Sequence, residues 1–495
     1  MNKITLSELE QYLSKAAWIL KGPVDAADFK SYIFPLLFFK RISDVYTEEY
    51  KVALKESGGD QEYATLPEFH RFTIPEGCHW DDVRQNTINV GQKLLYAFRE
   101  IEKSNPKFLY GIFGDTQWSN KEKLSDELLI DLIEHFSAYT LSNSTVESDV
   151  LGQAYEYLIK QFADQTNKKA GEFYTPRTVI QLMISILDPK EGDRIYDPAC
   201  GTGGMLLESI HHVRAKKQDY RTLKLYGQEK NLTTSTIAQM NMFLHNIEDF
   251  SIIRGDTLRS PAFIEGDELA TFNCVVANPP FSLKSWGAKY WEKDPYHRNK
   301  YGTPSDSNGD FAWIQHMIAS MNPINGRMAV VLPHGVLFRK GSEGKMREAI
   351  LKDDLIDAVI GLGPNIFYGT PLAACILIIR AQKSADKRGK ILFIDASHEY
   401  RAGRAQNYLD EIHITNMYSL YEGFSDKENS SKIVTLKDIE ANEYSLNIPI
   451  YIEQVNTEVL PTVEQAKTAV KKAAEEVWEA EEAFKKQLKK FGLLV

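Results

Sequence analysis

Short apolar runs that alternate with helical segments are the feature that most constrains the fold of this chain, and they begin near residue 190. Strands that alternate with helices predict a mainly parallel sheet with helices on both faces, so we expect a doubly wound α/β domain. The last two runs have no helix between them, which favours an antiparallel hairpin at the sheet edge. The predicted strands are 194–196, 224–227, 251–253, 273–277, 328–332, 356–360 and 374–379.

The chain has a helical pattern on both sides of this region. Before residue 150, apolar residues such as Leu6, Leu9 and Leu13 recur at steps of three and four, and Ser7 is a candidate N-cap. After residue 460, a narrow apolar stripe runs along a highly charged segment. Such a stripe fits a helix docked on its own domain and a helix that binds a partner equally well. We predict a helical N-terminal domain over 1–150, a sheet domain over 151–460 and a C-terminal helix over 461–495.

The composition is that of an ordinary globular protein, with 43% hydrophobic and 25% charged residues in a chain of 495. The four cysteines form no CxxC pair, so we expect no metal site, no disulfide framework and a cytoplasmic location. No apolar stretch approaches the ~20 residues that a membrane span needs. The net charge of −10 means that a nucleic-acid function would require a segregated basic face or a partner.

A glycine-rich turn follows the first predicted strand. Residues 197–204 read Asp-Pro-Ala-Cys-Gly-Thr-Gly-Gly, and such glycines permit positive φ and leave room for a ligand beside the backbone. A dinucleotide fingerprint would need glycine at the position of Leu206, so a nicotinamide cofactor is disfavoured. Glu229, at the end of the next strand, can accept both hydroxyls of a ribose, although taken alone it fits a solvated acid better.

A second motif, Asn-Pro-Pro-Phe at residues 278–281, follows a later strand. Two prolines fix the backbone, so the side-chain oxygen of Asn278 and the carbonyl of Pro279 can converge as two acceptors. Such a pair suits an exocyclic amine, which has two hydrogens to donate, and Phe281 offers an aromatic face to a flat ring. Taken alone, the tetrapeptide fits a rigid turn with a core phenylalanine better.

The order of these motifs changes that balance. Gly-Glu-Phe-Tyr-Thr-Pro-Arg at 171–177 precedes the glycine motif, Glu229 follows it, and Arg-Gly-Asp at 254–256 comes before Asn-Pro-Pro-Phe. With the helical ends, the chain resembles the modification (methyltransferase) subunit of type I restriction–modification systems, an adenine-N6 DNA methyltransferase of the γ arrangement. The resemblance covers nearly the whole chain and implies an S-adenosylmethionine-dependent methyltransferase sheet in the central domain.

The resemblance also implies roles for individual residues. It makes S-adenosylmethionine the cofactor, with Glu229 on the ribose hydroxyls and Asp256 on the adenine amine, although Asp256 also fits a plain turn. The catalytic residues that it implies are Asn278, Pro279, Pro280 and Phe281. The cofactor-binding residues that it implies are Glu172, Phe173, Tyr174, Thr175, Pro176, Arg177, Asp197, Gly201, Thr202, Gly203, Gly204, Glu229 and Asp256.

The implied activity is methyl transfer to N6 of adenine in double-stranded DNA, which protects host DNA from restriction. The implied partners are a specificity subunit that chooses the site and is embraced by two copies of this chain, and a restriction subunit in the full complex. Two alternatives remain at this point: methylation of a protein glutamine amide, and a non-catalytic scaffold with the same fold.

The segment after the second motif, residues 282–310, is long for a loop. It mixes basic and aromatic residues, among them Lys284, Trp286, Lys289 and Trp291. This mixture favours a flap that faces nucleic acid, and the alternative is a surface excursion packed by its own aromatic residues.

Overall fold

The computed structural model describes residues 3–166, 175–367, 370–404, 406–453 and 462–491. The chain divides into two compact units, Met1–Ile452 and Glu453–Val495. Each unit is described by itself. The first contains helices and one large sheet, and the second contains a single long helix over its described residues.

The first helix begins at a capping box. The N–H of Thr5 donates to Oε2 of Glu8 at 2.8 Å, and the hydroxyl oxygen of Thr5 accepts the N–H of Glu8 at 3.4 Å. Ser7 lies inside the helix, so its prediction as the cap is wrong. Thr5 and Ser7 each have a glutamate three positions later. A helix that starts after Thr5 also includes Leu6, which packs against the core.

The part before residue 150 is helical, as predicted, and most of its helices surround the long second one. Its bounds are α1 (Leu6–Leu20), α2 (Phe29–Glu56), α3 (Gln61–Ala64), α4 (Trp80–Arg84), α5 (Val90–Ser104), α6 (Asp126–Ser137) and α7 (Ser148–Thr166). The core of these helices continues into the sheet region, because Ile237, Met240, Phe243 and Leu244 of a later helix belong to the same buried cluster. The boundary at residue 150 stays a prediction.

Nine of the described strands form one sheet. They are β1 (Arg194–Asp197), β2 (Lys224–Glu229), β3 (Phe250–Arg254), β6 (Cys274–Ala277), β7 (Arg327–Pro333), β8 (Ile356–Leu362), β9 (Ala374–Arg380), β10 (Lys390–Ala396) and β11 (Ser431–Thr435). Their order across the sheet is β11-β10-β8-β9-β7-β6-β1-β2-β3. Most neighbours are parallel, and the antiparallel pairs are β7–β9, β8–β9 and β10–β11. A separate hairpin joins β4 (Ile264–Glu265) and β5 (Glu268–Leu269).

The predicted antiparallel pairing of the last two runs is confirmed, but their place at the sheet edge is wrong. β9 lies between β7 and β8, and β10 covers the other side of β8. The reason is a further apolar strand, Lys390–Ala396, which pairs in parallel with β8 and moves the edge outward to β11.

Helices cover both faces of the sheet, which confirms the doubly wound α/β prediction. The helices of this part are α8 (Arg177–Leu187), α9 (Gly204–Ala215), α10 (Leu232–Leu244), α11 (Ala288–Trp291), α12 (Asp310–Ala319), α13 (Ser342–Lys352), α14 (Glu411–Gly423) and α15 (Leu436–Ala441). Neighbouring residues of β1 point to opposite cores: Ile195 joins a cluster with α8, α9 and α14, whereas Tyr196 joins one with α12 and α13.

The second unit contains α16 (Val463–Lys490), which starts at a capping box between Thr462 and Gln465. Its apolar residues Val470, Val477 and Phe484 are 69%, 67% and 63% exposed. Within the described ranges of the whole chain, no helix has the length and apolar character needed to cross a membrane.

Candidate active site

The two predicted motifs meet because β6, β1, β2 and β3 are parallel neighbours, so their carboxyl ends share one edge of the sheet. A cavity of about 220 Å³ lies at this edge. The predicted site residues on its wall are Gly201, Thr202, Glu229, Asp256, Asn278 and Pro280. Four segments, one at the end of each of these strands, therefore line one space.

The glycine loop turns tightly before α9. Gly201 and Gly203 have φ values of +52° and +82°, which side-chain-bearing residues rarely adopt. A Cβ at Gly201 would have no heavy atom within 4 Å, whereas a Cβ at Gly203 would lie 2.8 Å from Cε of Met242 on α10. A Cβ at Gly204 would lie 3.3 Å from Cδ1 of Ile180. Gly201 thus opens the cavity wall, while Gly203 and Gly204 allow close packing of neighbouring helices.

The carboxylate of Glu229 is tied to the glycine loop. Its Oε2 accepts the N–H of Gly201 at 3.0 Å, and its Oε1 accepts the N–H of Asn231 at 2.8 Å. Two backbone donors thereby hold the carboxylate in one orientation beside the cavity. From the sequence alone, Glu229 fits a solvated acid better, but in the structure its carboxylate is held in place on the cavity wall.

Asp197 lies behind the loop rather than on the cavity wall. It is buried, and its Oδ1 accepts the N–H of Ala199 at 3.0 Å. Burial raises the pKa of Asp197 to about 8, the negative charge of Glu229 adds to this, and the Ala199 hydrogen bond opposes it. This side chain braces the turn from within.

Asp256 combines the two readings of its sequence context. Its backbone carbonyl accepts the N–H groups of Arg259 and Ser260 in a turn, and its carboxylate also lines the cavity. Oδ2 of Asp256 lies 2.9 Å from Nζ of Lys230, which borders the cavity as well. An ion pair therefore stands at this end of the cavity wall.

Asn278 has a carboxamide with one partnered end. Its Nδ2 donates to Oγ1 of Thr175 at 2.9 Å, whereas its Oδ1 is buried and has no hydrogen-bond partner among the described residues. Buried polar atoms are rarely left without a partner, and one at a cavity wall indicates a place for a ligand's donor. The bond to Thr175 determines which end of the amide remains available.

The rest of this motif surrounds Asn278. Pro279 is buried, and Pro280 contributes to the cavity wall. Phe281 is half-buried and packs edge-on against Phe367, with the ring centroids 6.1 Å apart. Phe281 is not part of the cavity wall that Asn278 and Pro280 share, so its role in base stacking stays a prediction.

The upstream motif at 171–177 is described only in part. Glu172, Phe173 and Tyr174 lie outside the described residues, while Thr175 contacts Asn278. Pro176 and Arg177 line a second cavity of about 470 Å³, which Thr202 shares with the first. Arg177 lies there between Glu156 and Glu208, with nitrogen–oxygen distances of 3.9 and 3.8 Å.

Comparison with known proteins identifies the family of this chain. A family model described as N-6 DNA Methylase matches residues 146–459, and another described as HsdM N-terminal domain matches residues 9–136. The type I restriction enzyme MjaVII methylase subunit of Methanocaldococcus jannaschii is 30% identical, over 98% of this chain and 83% of its own length. The chain belongs to the methylase subunits of type I restriction enzymes.

Other relatives of this methylase subunit agree. The HindI methylase subunit of Haemophilus influenzae is 30% identical over 77% of this chain and 89% of its own length. The crystal structure of a type I restriction–modification methyltransferase subunit from Streptococcus thermophilus is 29% identical, with a TM-score of 0.79, and the match covers 91% of this chain and all of that one. The fold and family predicted from the motif order are confirmed.

The helical part of the methylase subunit contributes wall residues that the sequence did not reveal. Lys30 and Phe34 of α2 and Ile159 and Phe162 of α7 line the first cavity. None of the four belongs to a sequence motif, and the apolar ones, Phe34, Ile159 and Phe162, share one buried core with α10 beside the glycine loop. Trp313 of α12 also lines the cavity and carried no motif signal.

The segment 282–310 is packed by its own aromatic residues to a large extent. Trp286 and Trp291 are buried edge to face, 5.2 Å apart, and Arg298 lies 4.3 Å over the ring of Trp291. Arg298 also donates to the carbonyls of Thr257 and Leu258. The alternative of a packed excursion therefore describes this part, and a DNA-facing role stays a prediction for the exposed Lys284, Lys289 and Lys293.

In the described part of the chain, no three His, Cys, Asp or Glu side chains lie close enough together to bind a metal ion. The four cysteines are buried and free, and burial raises the pKa of the Cys200 thiol beside the glycine loop well above its usual value. This thiol is therefore protonated at neutral pH and serves as a small apolar filler.

Proposed function

We propose that this methylase subunit transfers the methyl group of S-adenosylmethionine to N6 of adenine in DNA, at a site chosen by a separate specificity subunit. The observation that carries the proposal is the orientation of Asn278. Its Nδ2 is held by Thr175, so its Oδ1 stays without a partner among the described residues, beside a cavity shared with the glycine loop and Glu229.

The residues around the cavity fit the cofactor that the family implies. Gly201 and Thr202 form an open stretch of backbone, because a Cβ at Gly201 would meet nothing within 4 Å. Glu229 would hold the ribose hydroxyls and Asp256 the adenine amine, with Lys230 beside it. When bound, S-adenosylmethionine supplies an activated methyl group on a sulfonium sulfur. Pro176 and Arg177 would bind the cofactor from the second cavity, because Thr202 borders both cavities.

The side chain of Asn278 acts on the target amine. The lone pair of adenine N6 is delocalised into the ring, so the nitrogen is a poor nucleophile. Acceptance of one N–H by Oδ1 of Asn278, and of the other by the carbonyl of Pro279, would pull the nitrogen toward a tetrahedral geometry and restore its lone pair. A base inside a duplex cannot reach this cavity, so the target adenine must leave the helix.

The two alternative functions gain no support. The family match is to N-6 DNA methylases, and the relatives are named methylase subunits of restriction enzymes, which disfavours a protein-glutamine methyltransferase. A non-catalytic scaffold is disfavoured because Asn278 keeps both its anchor and its available acceptor atom.

The test is methyl transfer by the complex of this chain with its specificity subunit, co-purified from the native host. The complex is given S-adenosylmethionine with a tritiated methyl group and host DNA that lacks this methylation. The DNA is then digested to nucleosides. We expect label in N6-methyl-2′-deoxyadenosine that depends on Asn278. Label in protein glutamine, or cofactor binding without transfer to any DNA while every partner is present, would overturn the proposal.

The partner proposal rests on charge and on the exposed stripe of α16. A chain of net charge −10 is poorly suited to hold DNA alone, since phosphate contacts dominate affinity. Val470, Val477 and Phe484 stand at heptad spacing and are exposed, as expected for one side of a helical seam. We propose that α16 docks on a helical part of the specificity subunit, that two copies of this chain embrace one specificity subunit around duplex DNA, and that a restriction subunit joins the full complex.

Deletion of residues 461–495 tests the docking. We expect unchanged cofactor binding, weaker assembly in size-exclusion chromatography and reduced site-specific methylation. Replacement of Val470, Val477 and Phe484 by serine should reproduce the loss, whereas Glu475→Ser with Glu482→Ser, also seven residues apart, should not. Assembly and methylation equal to the full chain would make the tail a simple packing helix.

A further inference from the structure

The residue that directly follows the catalytic motif has an unusual backbone conformation. Ser282 has a φ of +51°, in the left-handed region that a side chain disfavours. Its N–H donates to Oδ1 of Asp310 at 2.7 Å, although 28 residues separate the two in the chain. The conformation of the motif's end therefore depends on a distant carboxylate.

Asp310 is well placed to hold this backbone. Asp310 is 1% exposed and lies at the start of α12. Its second oxygen, Oδ2, accepts a hydrogen bond from Nη2 of Arg339 at 2.5 Å. Arg339 is itself held by Glu343, whose Oε2 accepts a hydrogen bond from Nε of Arg339 at 2.6 Å. A buried carboxylate with a backbone donor on one oxygen and a guanidinium on the other has little freedom to move.

A second bond closes the base of the same loop. The N–H of Gly309 donates to the carbonyl of Leu283 at 2.9 Å, next to the bond between Ser282 and Asp310. The two ends of the segment that begins after Phe281 are thus joined side by side. Any change at this base would alter the direction in which the motif leaves the cavity.

We propose that Asp310 is a positioning residue that holds Ser282 in its left-handed conformation and thereby fixes Asn278 to Phe281 for methyl transfer. The inference rests on the proposed function, because it assigns a purpose to that loop's geometry. Without the carboxylate, Ser282 relaxes to negative φ and the loop turns away, while the glycine loop and Glu229 keep their places. Asp310 therefore affects the transfer step and leaves cofactor affinity unchanged.

The first measurement compares Asp310→Ala with the wild-type complex. We expect kcat to fall at least about tenfold, as misplacement of reacting groups does. The cofactor Kd should stay within about twofold, because the interaction lost is felt in the transition state. Asp310→Asn is the second variant in case alanine prevents folding. Its side-chain oxygen can still accept from Ser282, but it loses the charge that faces Arg339, so a smaller loss of kcat is expected.

The deciding measurement is rescue by glycine. Ser282→Gly in the Asp310→Ala background makes positive φ accessible without the carboxylate, and it should restore kcat by about threefold. Hydrogen exchange of the peptide that contains Ser282 should be faster in Asp310→Ala than in the wild type. This readout does not need enzymatic activity, so it tests whether Asp310 holds the Ser282 loop even if the proposed function fails.

The matched control is Asp357→Ala. Asp357 is another buried aspartate that bonds an arginine, Arg380, and also Tyr421, but it lies in β8 away from the motif. It should lower stability without changing kcat in the folded protein. Equal kcat in Asp310→Ala and the wild type, a further loss instead of rescue in the double variant, or unchanged exchange at Ser282 would overturn the inference. Absence of transfer by the wild-type complex would overturn the proposed function instead.

Discussion

The glycine loop and the Asn278 loop line the same cavity, but they treat their polar groups in opposite ways. At the glycine loop, carboxylates accept from the backbone: Glu229 accepts from the N–H of Gly201, and Asp197 accepts from the N–H of Ala199. In the other loop, Asn278 uses its donor on Thr175 and leaves its acceptor oxygen without a partner among the described residues.

This difference separates two ways to build a site. A loop whose carboxylates are hydrogen-bonded to its own backbone has its conformation fixed before a ligand binds. It contributes open space and backbone groups to the site. A loop with a buried acceptor that lacks a partner is chemically incomplete until a donor arrives. We expect substitutions in the first loop to act through shape and stability, and substitutions in the second to act on the reaction.

The largest expected effect is at Asn278. Asn278→Ala removes the acceptor and should lower methyl transfer by roughly 10²–10³-fold, the usual cost of losing one preorganised hydrogen-bonding group. Cofactor binding, measured by calorimetry, should persist because the proposed partner of Asn278 is the target amine and not the cofactor. Asn278→Asp, which keeps acceptor oxygens at the same position, should lose less. A folded alanine variant that no longer binds cofactor would break the comparison.

Gly203 should show the shape effect. Gly203→Val places a branched side chain at φ +82°, against Met242, and should cost about 1–2 kcal/mol for the backbone and about 1–3 kcal/mol for crowding. Thermal or urea unfolding measures this loss. The control is Gly201→Val, which has the same backbone penalty but open space around its Cβ, so it should lose less stability and more cofactor affinity. Equal stability losses would show that crowding against α10 is unimportant.

Phe281 should give a smaller effect on catalysis. If it stacks on the extruded adenine, Phe281→Ala weakens capture of the base by about 1–3 kcal/mol, while Phe281→Tyr retains it. Fluorescence of 2-aminopurine at the target position reports capture directly. An alanine variant with normal capture and lower stability would instead assign Phe281 to the core beside Phe367.

The last expected effect is a pH dependence at Asp197, which is the smallest of the four when it is measured over a single pH unit. Burial raises its pKa to about 8, above the ~3.9 of an unfolded chain, so between these values the folded state keeps a proton that the unfolded state has released. The free energy of unfolding therefore falls as pH rises through this window, by less than about 1.4 kcal/mol per pH unit. Asp197→Asn should flatten that slope in urea titrations at several pH values. An unchanged slope would mean that Asp197 is ionised in the folded protein.

The amino-acid sequence by itself determined the alternation of strands and helices and the position of both motifs at strand ends. Apolar periodicity is a local property, so it was enough to predict the strands and to place Gly201, Glu229 and Asn278 near strand ends. That these residues share one site was implied by the family resemblance. The order of the motifs also led to the family.

Only the tertiary structure decided where β9 lies, which helices wall the cavity and which atoms of the site remain available to a ligand. β9 lies between β7 and β8 because it pairs with both, and the sequence of a single strand does not determine which strands it pairs with. Phe34 of α2 reaches the cavity through a core shared with α10, and the orientation of the Asn278 carboxamide depends on Thr175, more than a hundred residues away. These features come from contacts between distant parts of the chain, and local sequence patterns carry no information about such contacts.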